Sequence, residues 1–219
     1  MVVIGMSDIH GKLSAIERMA SVLGRADLVL LAGDITHFGR EDAARQIIAG
    51  VRRYAPAVLA VSGNCDHAGV ERALFEEGVA CHGDCVLSGG VGFIGLSGSL
   101  TTPFHTPGEY SEESLAAALA KAGKTLDPTR PLVLVSHQPP LDTSCDRLAD
   151  GSHVGSAAVR RFIEQHQPLL CLTGHIHEAG GIDRIGRTQV VNPGPAWSGG
   201  YMRAEIADCE AAVVLDHVR

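Results

Sequence analysis

Five times in this chain a short apolar run closes on a small residue and then on a side chain with a lone pair to offer. "MVVIGMSD", "DLVLLAGD", "AVLAVSGN", "PLVLVSH" and "PLLCLTGH" end in Asp8, Asp34, Asn64, His137 and His175. Short apolar runs bounded by turn formers read as strands, and continuous hydrophobicity suits strands buried on both faces. Helix-period segments follow the first three: residues 13–23, closed by Gly24, then 40–51, then about 69–77. Such strand–helix repetition specifies a mainly parallel sheet covered by helices. In a sheet of that kind ligands collect in the crevice at the carboxyl ends of the strands. The fold class therefore brings the five polar ends to one rim.

The middle of the chain changes character. "CVLSGGVGFIGLSGS" has strands broken by glycines and predicts a hairpin in a second, antiparallel sheet. Residues 99–110 are rich in Thr and Pro and read as an irregular surface loop. A helix is expected over 111–124, with Ser111 and Ser114 both candidate N-caps, and another over 154–165. From Asp183 onward the pattern is of consecutive hairpin strands. No internal repeat or linker divides the 219 residues, so one domain over 1–219 is the expectation.

Composition narrows the function classes. The net charge is −7 with no block of Lys and Arg, which argues against a nucleic-acid footprint. The longest apolar runs fall well short of the roughly 20 residues that span a bilayer. The N-terminus lacks a basic n-region and reads as a first strand, so a cytoplasmic protein is expected. The six cysteines show no CxxC pair and read as buried thiols, neither a disulfide framework nor a zinc knot. A homo-oligomer is left open.

The polar rim carries the chemistry. Two further histidines lie two residues beyond strand-end ligands, in Asp8-x-His10 and His175-x-His177, where the period of two puts both side chains on one side. The candidate metal ligands are Asp8, His10, Asp34, Asn64, His137, His175 and His177. Taken singly, an Asp after a strand is commonly an N-cap and a buried His a hydrogen-bonded core residue. Seven on one rim are harder to dismiss. They are too many for one ion but suit two divalent cations with Asp34 bridging. Mixed nitrogen and oxygen donors favour first-row metals: manganese first, with Fe, Ni, Zn, Co or Mg as alternatives. Two +2 ions less two carboxylates leave a site of +2, or +1 with a bridging hydroxide, that attracts phosphate despite the acidic chain.

Asp8-x-His10, Gly33-Asp34, Gly63-Asn64-Cys65-Asp66, His137 and Gly174-His175-x-His177, in that order, resemble the calcineurin-like metallophosphoesterases, whose pattern is D-x-H, G-D, G-N-H-[D/E], H and G-H-x-H. "GDITHFG", "SHQPP" and "NPGPAWSGGY" are similar to its small bacterial and archaeal members. The resemblance spans nearly the whole chain. It implies a four-layer αββα sandwich of two mixed sheets flanked by helices. It implies one metal on Asp8, His10, Asp34 and His177, and a second on Asp34, Asn64, His137 and His175. The activity implied is hydrolysis of a small phosphate ester, diester slightly ahead of monoester, by a metal-bridging hydroxide.

One position departs from that pattern. The family's histidine between Asn and Asp, which stabilises transition-state charge and protonates the leaving oxygen, is Cys65 here. A thiol is a weak donor with little positive charge to give, so Cys65 reads as a bystander, with a reactive thiol or a metal contact as alternatives. Asn64, Asp66 and His67 are the candidate catalytic residues; Asp66 is expected to orient a ligand histidine, and His67, His37 or His105 to stand in as the acid. Without the usual acid, esters with good leaving groups should fare best. A non-catalytic scaffold of the same fold is the competing function, though such a protein would be expected to have lost ligands. A Ser/Thr phosphatase would need the intact G-N-H, and an acyl hydrolase a G-x-S-x-G elbow that is absent.

Overall fold

The computed structural model describes residues 1–55 and 57–219. The chain runs β1 (Val2–Met6), α1 (Leu13–Arg18), α2 (Ala20–Leu23), β2 (Leu28–Ala32), α3 (Glu41–Arg52), β3 (Val58–Val61) and α4 (Ala68–Glu76). It continues through β4 (Cys85–Ser88), β5 (Val91–Leu96), β6 (Ser99–Leu100), β7 (Glu109–Tyr110), α5 (Glu112–Gly123) and β8 (Leu132–Ser136). The last part is α6 (Ala157–His166), β9 (Leu170–Leu172), β10 (Gly181–Ile185), β11 (Thr188–Asn192), β12 (Gly200–Ala207) and β13 (Glu210–His217).

Two sheets form, one in the order β13-β12-β1-β2-β3 and one in the order β10-β11-β9-β8-β5-β4. In the first, β1, β2 and β3 are parallel, while β12 and β13 add antiparallel at β1's free side. In the second, β5, β8, β9 and β11 are parallel and the edge strands β4 and β10 antiparallel. The sheets face each other across Leu30, Val61, Phe93, Val135, Leu172 and Met202. Helices α1 to α4 cover one outer face over Ile4, Ile16, Leu31, Ile47 and Leu74. Helices α5 and α6 cover the other over Ile94, Leu119, Leu134 and Phe162. The result is the expected αββα sandwich. Each aliphatic side chain so buried contributes about 1.5–3 kcal/mol.

Local sequence explains the outer layers. In α3, Ala44, Ile47, Ile48 and Val51 fall at helical spacing on the buried face. Glu41 and Asp42 open that helix and Arg52 closes it, as the helix dipole favours. In α5 the Ser111 hydroxyl accepts from Ser114 N, so Ser111 is the cap and Ser114 lies inside. In α6 the Ser156 side chain accepts from Ala158 N and Val159 N, which starts the helix later than the apolar pattern indicated.

Four expectations change. The glycine-broken segment forms the hairpin β4–β5, but the second sheet that holds it is mainly parallel and not antiparallel. The helix of residues 13–23 is two short helices separated at Met19, whose ψ of 3° breaks the ladder with a tighter turn. The C-terminal hairpins divide between the sheets, β10 and β11 in one and β12 and β13 in the other. Residues 99–110 are more than a surface loop: Ser99 pairs with Glu109 and Leu100 with Tyr110 in parallel, and Gly108 N donates to Asn64 O at 2.8 Å. Among the described residues no helix is long and apolar enough to cross a membrane.

Candidate metal centre

The rim where β1, β2, β3, β8 and β9 end is built by loops that run against one another. Asp8 N donates to Gly33 O (3.1 Å), His10 N to Asp34 O (2.9 Å) and Gly11 N to Ile35 O (2.9 Å), zipping the segment after β1 to the one after β2. Asp8, His10, Asp34 and His175 all have left-handed backbones, with φ of 56°, 49°, 47° and 68°. That conformation is uncommon outside glycine and concentrates at functional sites. The glycines before the ligands have a steric reason. Gly33 has φ +87°, and a Cβ there would fall on the His137 ring; a Cβ on Gly63 would fall on the carboxylate and backbone nitrogen of Asp34. Only glycine lets these loops nest so closely.

The side chains meet accordingly. Asp34 Oδ2 lies 3.6 Å from His10 Nε2, and its Oδ1 lies 3.5 Å from His137 Nε2, so the carboxylate faces both ways. His177 Nε2 is 3.3 Å from Asp8 Oδ1 and 3.4 Å from His10 Nε2. Asp8 Oδ2 also accepts from His175 N at 3.2 Å. His137 is fully buried and its Nδ1 is 2.8 Å from Ala32 O, a pure acceptor, so the ring proton belongs on Nδ1. Its Nε2 is 2.9 Å from Asn64 Oδ1 and, with the proton on Nδ1, turns a lone pair toward the same point as that carbonyl. The Asn64 amide nitrogen meanwhile donates to Thr106 Oγ1 at 3.0 Å, which keeps Oδ1 turned inward.

Three groups of ligand atoms lie within 4.8 Å of one another: Asp8, His10 and His177; Asp8, Asp34 and His137; and His10, Asp34 and Cys65. Asn64 joins through His137, while His175 stands a little apart, its ring centroid 5.2 Å from that of His137. The donor set suits divalent cations, because converging lone pairs and carboxylates gain where a positive charge sits between them.

Electrostatics point the same way. Burial lowers His10 to about 4 and His175 to about 3, so both rings are neutral and carry free lone pairs. Burial raises Asp8, but the hydrogen bond to His177 and the nearby histidines outweigh it and bring the carboxyl to about 2. Asp34 goes up to about 6, chiefly through burial, with the Asp8 and Asp66 charges adding to it. His177 is raised by its bond to Asp8.

The residues expected to do acid–base work are placed differently. Asp66 orients no histidine. Its Oδ2 accepts from Ile35 N (3.0 Å) and Gly63 N (2.8 Å), and its Oδ1 from Thr36 N (2.8 Å) and Thr36 Oγ1 (2.7 Å). It ties the loop after β2 to the loop after β3. His67 opens α4 and neither lines the cavity at the centre nor bonds to the ligand candidates among the described residues. The same holds for His105. His37 does reach the centre: its Nδ1 faces His10 Nδ1 at 3.4 Å, which engages it with a ligand's ring. Cys65 lies at the cavity floor, its N–H donating to Asp34 Oδ1 at 2.8 Å, and burial with the Asp34 charge pushes its thiol far up. A neutral thiol is a poor nucleophile and a poor ligand. Two site residues escaped the sequence pattern: Thr106, which holds Asn64, and Glu109, which accepts from the hydroxyls of Thr102 (2.6 Å) and Thr106 (2.7 Å). A Thr three residues before a Glu in "TPGE" was the available signal.

Comparison with known proteins fits this geometry. Residues 1–210 match the sequence profile of the calcineurin-like phosphoesterase superfamily domain, and the chain belongs to that superfamily. The uncharacterized protein MJ1162 of Methanocaldococcus jannaschii is 38% identical over 199 residues, 89% of this chain and 88% of that one. Among solved structures, TT1561 of Thermus thermophilus superposes with a TM-score of 0.77 at 19% identity, over 100% of this chain and 99% of its own. A dimetal phosphatase from Danio rerio superposes with a TM-score of 0.62 at 13% identity, over 100% and 99%.

Proposed function

We propose that the chain is a phosphoesterase working with two divalent cations, Asp8, His10, Asp34 and His177 holding one and Asp34, Asn64, His137 and His175 the other. The convergence of His137 Nε2 and Asn64 Oδ1, 2.9 Å apart in the interior beside the Asp34 carboxylate, carries the reading, since nitrogen and oxygen donors so gathered suit one cation. The two faces of Asp34 support sharing it between the sets. Cations held by these residues would supply a grip on the phosphoryl oxygens, a lowered pKa for an attacking water and an offset to charge on the leaving oxygen. Manganese is the first choice for this mixed donor set.

The chain's own residues supply order. Thr106 keeps the Asn64 carbonyl turned inward, and His37 fixes the ring of His10 through its free nitrogen. Asp66 locks the loops that bear Asp34 and Asn64. Cys65 stands where the family has its proton-donating histidine, and neither His67 nor His105 is among the described lining residues of the cavity, so good leaving groups are favoured. Diesters come ahead of monoesters, because among the described lining residues there is no Lys or Arg to meet a monoester's second charge. The likeness in fold to a dimetal phosphatase from Danio rerio agrees with this reading. The six cysteines are free, which suits a reducing compartment, and we place the protein in the cytoplasm.

The test is metal content together with hydrolysis of bis- and mono-p-nitrophenyl phosphate, with Mn²⁺ against chelator. Hydrolysis of the diester in Mn²⁺, abolished by chelation, is expected. Activity that survives exhaustive metal removal refutes the mechanism, and inactivity in every metal favours the scaffold.

A further inference from the structure

A cavity of about 700 Å³ opens above the cluster, a size that encloses a whole small ligand. Its floor holds Asp34, Asn64, Cys65 and three of the histidines. Its walls come from four stretches of chain: Phe38 after β2, Leu100 in β6 with Phe104 beyond it, Leu148 and Val154 after β8, and Ile176 between His175 and His177. Among the described lining residues there is no lysine or arginine, and Glu178 is the one charged side chain outside the cluster.

The walls are set before any ligand arrives. Gln138 is fully buried; its Oε1 accepts from Leu100 N at 2.8 Å, and its amide nitrogen donates to Val154 O at 2.9 Å, clamping two walls together. Buried Asp146 accepts from Thr143 N (2.8 Å) and Gly155 N (2.9 Å), fixing the loop that carries Leu148 and Val154. Glu109, bonded to Thr102 and Thr106, fixes the segment of Pro103 and Phe104.

We propose that this cavity is the subsite for the ester group: it takes the uncharged, apolar alkyl or aryl group of a phosphodiester whose single phosphoryl group rests on the cluster. The inference rests on the phosphoesterase reading above and narrows its substrate class. A nucleoside diphosphate or an oligonucleotide brings further phosphates, which here meet Glu178 and no cation. An alkyl chain meets apolar wall, and each buried methylene is worth about fourfold in binding.

The test uses the Mn²⁺-loaded protein and 4-nitrophenyl methyl, butyl and hexyl phosphates. From methyl to hexyl, kcat/KM should rise at least roughly tenfold, a cautious fraction of the per-methylene gain. Calorimetry should show hexylphosphonate binding more tightly than methylphosphonate with a more negative heat-capacity change. Leu148→Asn and Val154→Asn, at half-buried loop positions, should lower the hexyl-to-methyl ratio. A flat series in an active enzyme, or ADP turned over faster than the hexyl ester, overturns the subsite and leaves the phosphoesterase intact. No hydrolysis of any ester overturns both.

Discussion

Removing the Asp66 carboxylate should loosen the metal centre without touching a ligand. Its two oxygens accept from Ile35 N, Thr36 N, Thr36 Oγ1 and Gly63 N at 2.7–3.0 Å, in a fully buried position. In Asp66→Ala the hydroxyl of Thr36 can turn elsewhere, but three buried backbone N–H groups lose their acceptor. Each such group costs about 1–3 kcal/mol, so the loss is about 3–5 kcal/mol once water occupies part of the vacated space. In Asp66→Asn the new amide NH₂ can be set towards Thr36, whose hydroxyl then accepts. One backbone N–H is left unpaired, a loss of about 1–3 kcal/mol. For a chain of this length, 1 kcal/mol moves Tm by roughly 2–4 °C, which gives drops of about 6–20 °C for Ala and about 2–12 °C for Asn. Calorimetric unfolding in chelator measures both, and Mn²⁺ titration of the Asn variant should show affinity down about 10–100-fold. The competing effect is that a buried carboxylate is itself costly and burial pushes Asp66 upward. If desolvation outweighs the four bonds, Asp66→Ala will unfold no earlier than the parent. That result would refute the tether.

Two further outcomes follow from the site. Cys65→His restores an imidazole at the cavity floor and should raise turnover of aryl diesters with poor leaving groups by up to about 100-fold, with little change for nitrophenyl esters. A plot of rate against leaving-group pKa reads it, and an equal change across the series argues against any acid role. Metal affinity should rise with pH through about 6. Asp34, raised to about 6, and His177, raised above its ordinary 6.5, must lose protons before they ligate, whereas His10 at about 4 and His175 at about 3 are already neutral. Calorimetry in buffers of different ionisation enthalpy should find more protons released per protein on Mn²⁺ binding at pH 5 than at pH 8. A release that does not depend on pH contradicts the assignment.

The rim was legible because its signal is local. A strand that ends at Ala32 and the Gly-Asp that follows occupy adjacent positions, and a parallel sheet converts that adjacency into convergence. The same logic delivered Asp8, Asn64, His137 and His175. What escaped the pattern depends on contacts remote in sequence. By the family resemblance Asp66 reads as the carboxylate that orients a ligand histidine, yet its oxygens go to Ile35 and Thr36, some thirty residues earlier. Residues 99–110 show no apolar periodicity, because their order comes from Glu109 bonding back to Thr102 and from Gly108 docking on Asn64. The break at Met19 is likewise invisible in the spacing, since the apolar positions on both sides face the same core.

The arrangement also explains how a strained centre is tolerated. Four of the seven candidate ligands have left-handed backbones, each costing of order 1 kcal/mol or more. The burial of Asp34 beside the Asp8 and Asp66 charges adds to that cost. None of it falls on the packed interior between the sheets, where Phe93, Leu172 and Met202 are fully buried with no polar partner to satisfy. The sandwich therefore holds the loops in place from below, while Gly33 and Gly63 allow them to approach more closely than side chains with a Cβ permit. Strain that the core over-determines is available to favour ligation, because a cation entering the cluster relieves repulsion already present. On the proposed loading with two divalent cations, the acidic chain would present a positive site beneath a mainly apolar wall.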